Sequence, residues 1–170
     1  RYHQPDDLLS AAGLKGEHPL LLMLDGIQDP HNLGAIARTA EAAGVHGLII
    51  AERRAVGVTP GAMRASAGAL EHIKVSRVGN LNRTVEKLKE NGLAIVGLDA
   101  AGDSEYTQID LKGPVLIVVG SEGKGLSRLM RENCDQVASI PMAGQISSLN
   151  VSVSAAIVLY EAFNQRSKAS

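Results

Sequence analysis

Cysteine is almost missing from this chain of 170 residues, in which Cys134 stands alone. A single thiol has no partner for an internal disulfide, and the neighbouring Arg131, Glu132 and Asp135 do not form a metal-ligand cluster with it. A reducing, cytoplasmic compartment is therefore expected. Aromatic residues are nearly as scarce, limited to Tyr2, Tyr106, Tyr160 and Phe163 with no tryptophan. That excludes the broad stacking platforms on which many single-strand readers hold bases. Neither sign of charge dominates, and the net charge of -1 means that any nucleic-acid partner must be met by a local basic patch rather than by a global field. No apolar run reaches the roughly 20 residues that span a bilayer, and residues 1–16 lack the apolar stretch of a signal peptide, so no membrane is expected. The five histidines, His3, His18, His31, His46 and His72, show no ligand spacing and none pairs with a serine or cysteine nucleophile, which argues against a metal centre and a hydrolase triad.

What the chain does contain is an alternation of short apolar runs with helical patterns, the signature of an α/β domain on a largely parallel sheet. Strands are expected over residues 20–24, 47–51, 73–75, 94–98, 115–119 and 137–140. The runs LLLML and VLIVV are continuously apolar, as central strands covered by helices on both faces should be. Leu33, Ile36, Ala37 and Ala40 recur at helical spacing, with Asn32 placed as N-cap and Gly44 as the stop. Residues 82–91 read as a surface helix and residues 126–133 as another. The final segment, 151–163, is apolar nearly all round and needs burial on more than one side, which a second subunit would supply. Residues 1–16 read as a linker, and residues 17–170 as one domain, with no repeat and no internal boundary.

Three loops follow predicted strands, where open α/β sheets place their ligands. The first runs from Asp25 to Arg38; taken singly, its Asn32 reads as a helix cap and its Arg38 as a surface cation. The second, GSEGKG at residues 120–125, has the strand, glycine-rich turn and helix layout of a phosphate or cofactor loop. It is not a Walker A loop, because Leu126 follows Gly125 where lysine is required. It is not a dinucleotide fingerprint either, because Arg128 occupies the position of the last small residue. The third, residues 140–150, is polar and leads into the apolar final helix, which Ser148 or Asn150 is placed to cap.

Taken together the loops resemble the three motifs of the SpoU/TrmH family of SPOUT methyltransferases. NLGAIAR at residues 32–38 resembles the first motif, VGSEGKGL at 119–126 the second, and the stretch from Ile140-Pro141-Met142 through SLNVS at 148–152 the third. The resemblance covers about residues 20–163, and within the family it is nearest to the members that methylate a guanosine ribose of large-subunit ribosomal RNA. It implies a C-terminal deep trefoil knot near residues 120–150, which ordinary topology rules would reject. It also implies a homodimer packed through the knot and the last helix, and an N-terminal RNA-binding domain ahead of residues 1–16. S-adenosylmethionine is the implied cofactor, held by Leu98, Gly120, Glu122, Gly123, Ile140, Met142, Ser148 and Leu149, with no metal.

The same resemblance implies a catalytic set of Arg38, Asn32, Glu122, Ser148 and Asn150, with Arg38 at the ribose 2′-hydroxyl. A guanidinium keeps its proton in nearly every protein setting, so electrostatic stabilisation of the forming alkoxide suits Arg38 better than proton abstraction. Transfer RNA as substrate is the alternative of the same chemistry. A nucleotide-binding module, such as a nicotinamide-dependent oxidoreductase, and an RNA-binding factor without methyl transfer are alternatives of other classes.

Overall fold

The apolar runs pair in parallel. In the computed structural model, which describes residues 2–52 and 58–169, the strands are β1 (Leu20–Asp25), β2 (Gly47–Ala51), β3 (Val75–Val78), β4 (Ala94–Leu98), β5 (Ser104–Glu105), β6 (Val115–Gly120) and β7 (Gln136–Ser139). They form one sheet of order β3-β2-β1-β6-β4-β7-β5, with every described pairing parallel. Parallel neighbours need crossover connections. Those connections carry α2 (Pro30–Ala42), α3 (Pro60–Ala65), α4 (Leu81–Glu90) and α5 (Arg128–Asn133), while α1 (Pro5–Leu14) precedes the sheet and α6 (Val151–Ala169) follows it.

Strand side chains alternate between faces, which explains why β1 and β6 are apolar at every core position. Leu20, Leu22, Leu24, Ile117 and Val119 pack with Leu33, Ile36 and Ala40 of α2 and with Ala155, Val158 and Leu159 of α6. Leu21, Met23, Leu116 and Val118 face the opposite way, onto Leu8 of α1, Val85 and Leu88 of α4 and Met130 of α5. Each leucine, isoleucine, valine or methionine among them, fully withdrawn from water, contributes about 1.5–3 kcal/mol. No helix among the described residues is long and apolar enough to cross a membrane.

Several expected boundaries move for identifiable reasons. Helix α2 is capped by Asp29, whose carboxylate accepts from the His31 amide at 2.9 Å, with Pro30 at the first position where no donor is needed. Asn32 is therefore inside the first turn rather than its cap. Strand β3 begins two residues after the expected start, because Ile73 is buried in the connection and the register with β2 begins at Leu48 opposite Val75. Ser127 caps α5, leaving Leu126 buried in the loop before it. The two-residue edge strand β5 was not expected.

Where a linker is expected over residues 1–16, the chain instead forms α1. Leu8 and Ala12 are fully buried, and Leu8 sits over Gly47, where a Cβ would lie 2.6 Å from the leucine Cδ2. Ahead of the helix, the His3 amide donates to the Val75 carbonyl at 2.7 Å and extends the sheet beyond β3. These residues belong to the packed unit. The final helix is longer than expected and two-faced. Val151, Ala155, Val158, Leu159 and Ala162 are buried, while Val153, Tyr160 and Phe163 are each close to half exposed.

Candidate functional site

At the carboxyl end of β6 the chain turns back on itself. The Gly125 amide donates to the Ser121 carbonyl at 2.8 Å, and Gly123 (φ +87°) and Gly125 (φ +65°) occupy the left-handed region that favours glycine. A Cβ on Gly120 would run into the Gly125 carbonyl and stand 2.6 Å from the Leu126 amide nitrogen. The glycine at 120 is thus required by the loop's own backbone, before any ligand is considered.

Asp99, immediately after β4, pins this loop. Its Oδ2 accepts from the Leu126 amide at 3.0 Å and from Arg131 Nη2 at 2.9 Å, and its Oδ1 accepts from the Ala101 amide at 2.9 Å. Burial pushes the carboxyl pKa up, but the two amides and the guanidinium outweigh it, and the group is held below the ordinary carboxylate range. It is accordingly a fixed anion that joins β4, the glycine loop and α5. Asp25, at the end of β1, ties in the same region by accepting from the Ser127 amide at 3.3 Å.

Between these pinned ends opens a pocket with an apolar wall of Leu98, Val119, Ile140, Leu149 and Val151 and a polar margin that includes Ser121, Glu122, Lys124, Ser147, Ser148 and Ser154. All eight residues expected to hold a cofactor line it: Leu98, Gly120, Glu122, Gly123, Ile140, Met142, Ser148 and Leu149. The structure thereby brings together segments that lie on three separate connections of the chain. Of the expected catalytic set, Glu122 and Ser148 are in the wall, and Asn150, Asn32 and Arg38 are outside it.

Asn150 caps α6, accepting from the Ser152 amide at 2.9 Å and from the Ser152 hydroxyl. Asn32 is half-buried on α2. Arg38 is exposed on the same helix and has no hydrogen bond or ion pair among the described residues. Asp99 and Lys124 were not singled out from the sequence. An acid directly after the apolar run at 94–98 was the available signal for the first, since strand ends of α/β sheets are where ligands gather.

The pocket has no thiolate to offer. Cys134 lies half-buried beside Gly97, donating to the Met130 carbonyl at 3.2 Å, and burial pushes its thiol up to about 11. At neutral pH it is protonated and a poor nucleophile. Cys134 is also outside the set of residues that line the pocket.

The sequence model of the SpoU rRNA methylase family matches residues 19–160. A protein named as a TrmH family tRNA/rRNA methyltransferase, YacO of Bacillus subtilis, is 50% identical over 165 residues, covering 97% of this chain and 66% of that protein. An uncharacterized tRNA/rRNA methyltransferase of Mycobacterium sp. (strain KMS) is 55% identical over 165 residues, covering 97% of this chain and 52% of the relative. The chain thus spans less than two thirds of the length of either. Among solved structures, the SpoU methyltransferase AviRb of Streptomyces viridochromogenes, in complex with the cofactor AdoMet, superposes with a TM-score of 0.82 at 39% identity. That match covers 89% of this chain and 62% of AviRb.

Proposed function

Since the chain belongs to the SpoU rRNA methylase family, we propose that it is an S-adenosylmethionine-dependent RNA methyltransferase acting on a ribose 2′-hydroxyl. The observation that carries the reading is the pocket, which draws the ends of β4 and β6 and the segment before α6 into one apolar cleft with a glycine-rich rim. S-adenosylmethionine bound there supplies an electrophilic methyl group on a sulfonium. Leu98, Val119, Ile140 and Leu149 suit a flat adenine, and the open backbone of Gly120 and Gly123 lets a ribose approach closely. Glu122 and Ser148 orient polar groups at the rim. Arg38, exposed and without a hydrogen bond or ion pair among the described residues, meets the target hydroxyl and stabilises the negative charge that develops on its oxygen as the methyl group is transferred and the hydroxyl proton passes to solvent. Asn32 and Asn150 position the elements around it. A trefoil knot through residues 120–150 is part of the same proposal.

Calorimetry in the presence of chelator is the test of binding, with S-adenosylmethionine expected to bind and NAD not. Gly120→Val is expected to abolish binding and to lower the melting temperature as well, because its side chain collides with the Gly125 backbone. Undiminished affinity in that variant would place the site elsewhere. The substrate we propose is a guanosine of large-subunit ribosomal RNA. Mapping ribose methylation in RNA from cells lacking the full-length gene decides it, with loss at a transfer RNA position pointing to the alternative substrate.

A homodimer completes the proposal. Val153, Tyr160 and Phe163 leave the second face of α6 apolar and exposed, and Met142 and Ile146 of the pocket loop are exposed as well. Covering such a face with a second copy removes it from water. Light scattering is expected to give twice the chain mass at micromolar concentration, and a monomer there would refute the dimer.

A further inference from the structure

Helix α3 rests on α2 in backbone contact. A Cβ on Gly34 would lie 2.5 Å from the Ala65 Cβ, 2.6 Å from the Ala62 carbonyl oxygen and 2.9 Å from the Ser66 amide nitrogen, so the third residue of the NLGAIAR motif serves the seating of a second helix. Both ends of α3 are fixed locally. Thr59 caps it by accepting from the Ala62 amide at 3.1 Å. The buried Ser66 hydroxyl donates to the Met63 carbonyl at 2.8 Å and accepts from the Leu70 amide at 3.4 Å. Ala67, which follows, is held at φ +54°, the one non-glycine residue in the left-handed region among those described.

This well-defined element presents Arg64 to solvent, and the side chain has no hydrogen bond or ion pair among the described residues. A methyl group at Gly61 would stand 3.9 Å from both Arg64 Nη2 and the Pro30 Cβ, so the guanidinium and the first residue of α2 both border Gly61. The loop leading into α2 meets the glycine loop at its other end, where a Cβ on Gly26 would be 3.9 Å from the Ser121 Cβ. Residues 26–30 thus run from the glycine loop, at Gly26, to Pro30, which neighbours Gly61 in the turn that carries Arg64. Arg38 is four residues beyond Gly34 and so on the same side of α2, giving the α2–α3 seam two exposed cations.

We propose that Arg64 binds a backbone phosphate of the RNA next to the target nucleotide, as a positioning residue on a helix that Gly34 seats; this rests on the RNA-methyltransferase reading above. A planar guanidinium that no described residue engages is suited to forked phosphate binding, and the close seating of α3 on Gly34 fixes its place relative to α2. It also resolves how a chain of net charge -1 meets a polyanion, through cations gathered on one seam rather than through overall charge.

The test uses the full-length protein with its RNA and labelled S-adenosylmethionine. Arg64→Ala is expected to raise KM for RNA about 5- to 10-fold and to reduce the slope of log affinity against log salt by about 0.7–0.9, the loss of one phosphate contact. Its kcat at saturating RNA and its affinity for S-adenosylmethionine should stay as in the parent, and Arg64→Lys should restore the slope. An unchanged salt slope in Arg64→Ala overturns the proposal, whether or not kcat falls, because a structural role alone would leave the count of phosphate contacts intact. If the parent protein itself neither binds RNA nor methylates it, the functional reading fails rather than the assignment of Arg64.

Discussion

Replacing Arg38 with alanine in the full-length protein is expected to lower the methylation rate by about 10²- to 10³-fold, the usual cost of removing one well-placed donor to a developing oxyanion. Affinity for S-adenosylmethionine should be unchanged, because Arg38 is outside the pocket wall. The side chain is exposed on α2 and makes no hydrogen bond or ion pair among the described residues, so its donors are free to turn to a substrate without breaking an internal contact. Truncation should likewise leave the fold intact. Arg38→Lys separates charge from geometry. Partial rescue would show that a positive charge suffices, whereas a rate like that of alanine would show that the planar fork is needed. Turnover close to the parent rate in Arg38→Ala, with RNA and donor both saturating, would put the catalytic group on another residue.

Arg166→Ala should be the most damaging single change to stability outside the apolar core. The half-buried guanidinium donates to four carbonyls: Leu111 at 3.0 Å, His18 at 2.7 Å, Pro19 at 3.2 Å and Gly113 at 2.6 Å. These acceptors lie on the two segments that enter the central strands β1 and β6. One side chain of α6 therefore clamps both strand entries to the last helix. Gln165 reinforces the clamp, accepting from the Leu111 amide at 2.7 Å and donating to the Ile109 carbonyl at 3.0 Å. Alanine would leave those carbonyls to water that reaches them only in part.

Hydrogen bonds from a charged donor contribute about 1.5–3 kcal/mol each, but four on one group are not additive, and a total near 3 kcal/mol is expected. For a chain of this size that corresponds to a fall in melting temperature of about 6–12 °C. Arg166→Lys, with one point charge in place of a fork, should recover only part of it. A urea titration checks the free energy directly. A loss below about 0.5 kcal/mol would show that water replaces the clamp at no cost.

Legibility followed the range of the interactions involved. The runs at β1, β2, β4 and β6 were readable because burial on both faces makes every position apolar, and Gly44, at φ +85°, was readable as the end of α2 because few other residues adopt that conformation at little cost. Strand β3 was shifted because only Val75 of its first three residues carries an apolar side chain; Ser76 and Arg77 disguise the rest. Helix α1 was hidden because it buries only Leu8 and Ala12, too few to set up a visible period. The pocket residues were legible through motifs, which record which residues gather, but not through any spacing along the chain.

The sequence by itself determined the α/β class, the central strands and the glycine-rich turn after β6. Those are consequences of periodicity and backbone freedom, which act over a few neighbouring residues. Tertiary structure alone decided that Asp99 would be a fixed anion, since its charge is held by the Leu126 amide 27 residues away, and that Arg166 would clamp the chain to His18, 148 residues earlier. It also decided that Arg38 would stand outside the pocket and that α3, which carries Arg64, would seat on Gly34 of α2. Charge partners and helix seats of this kind depend on which surfaces meet once the core has packed, and no local pattern of residue types carries that information.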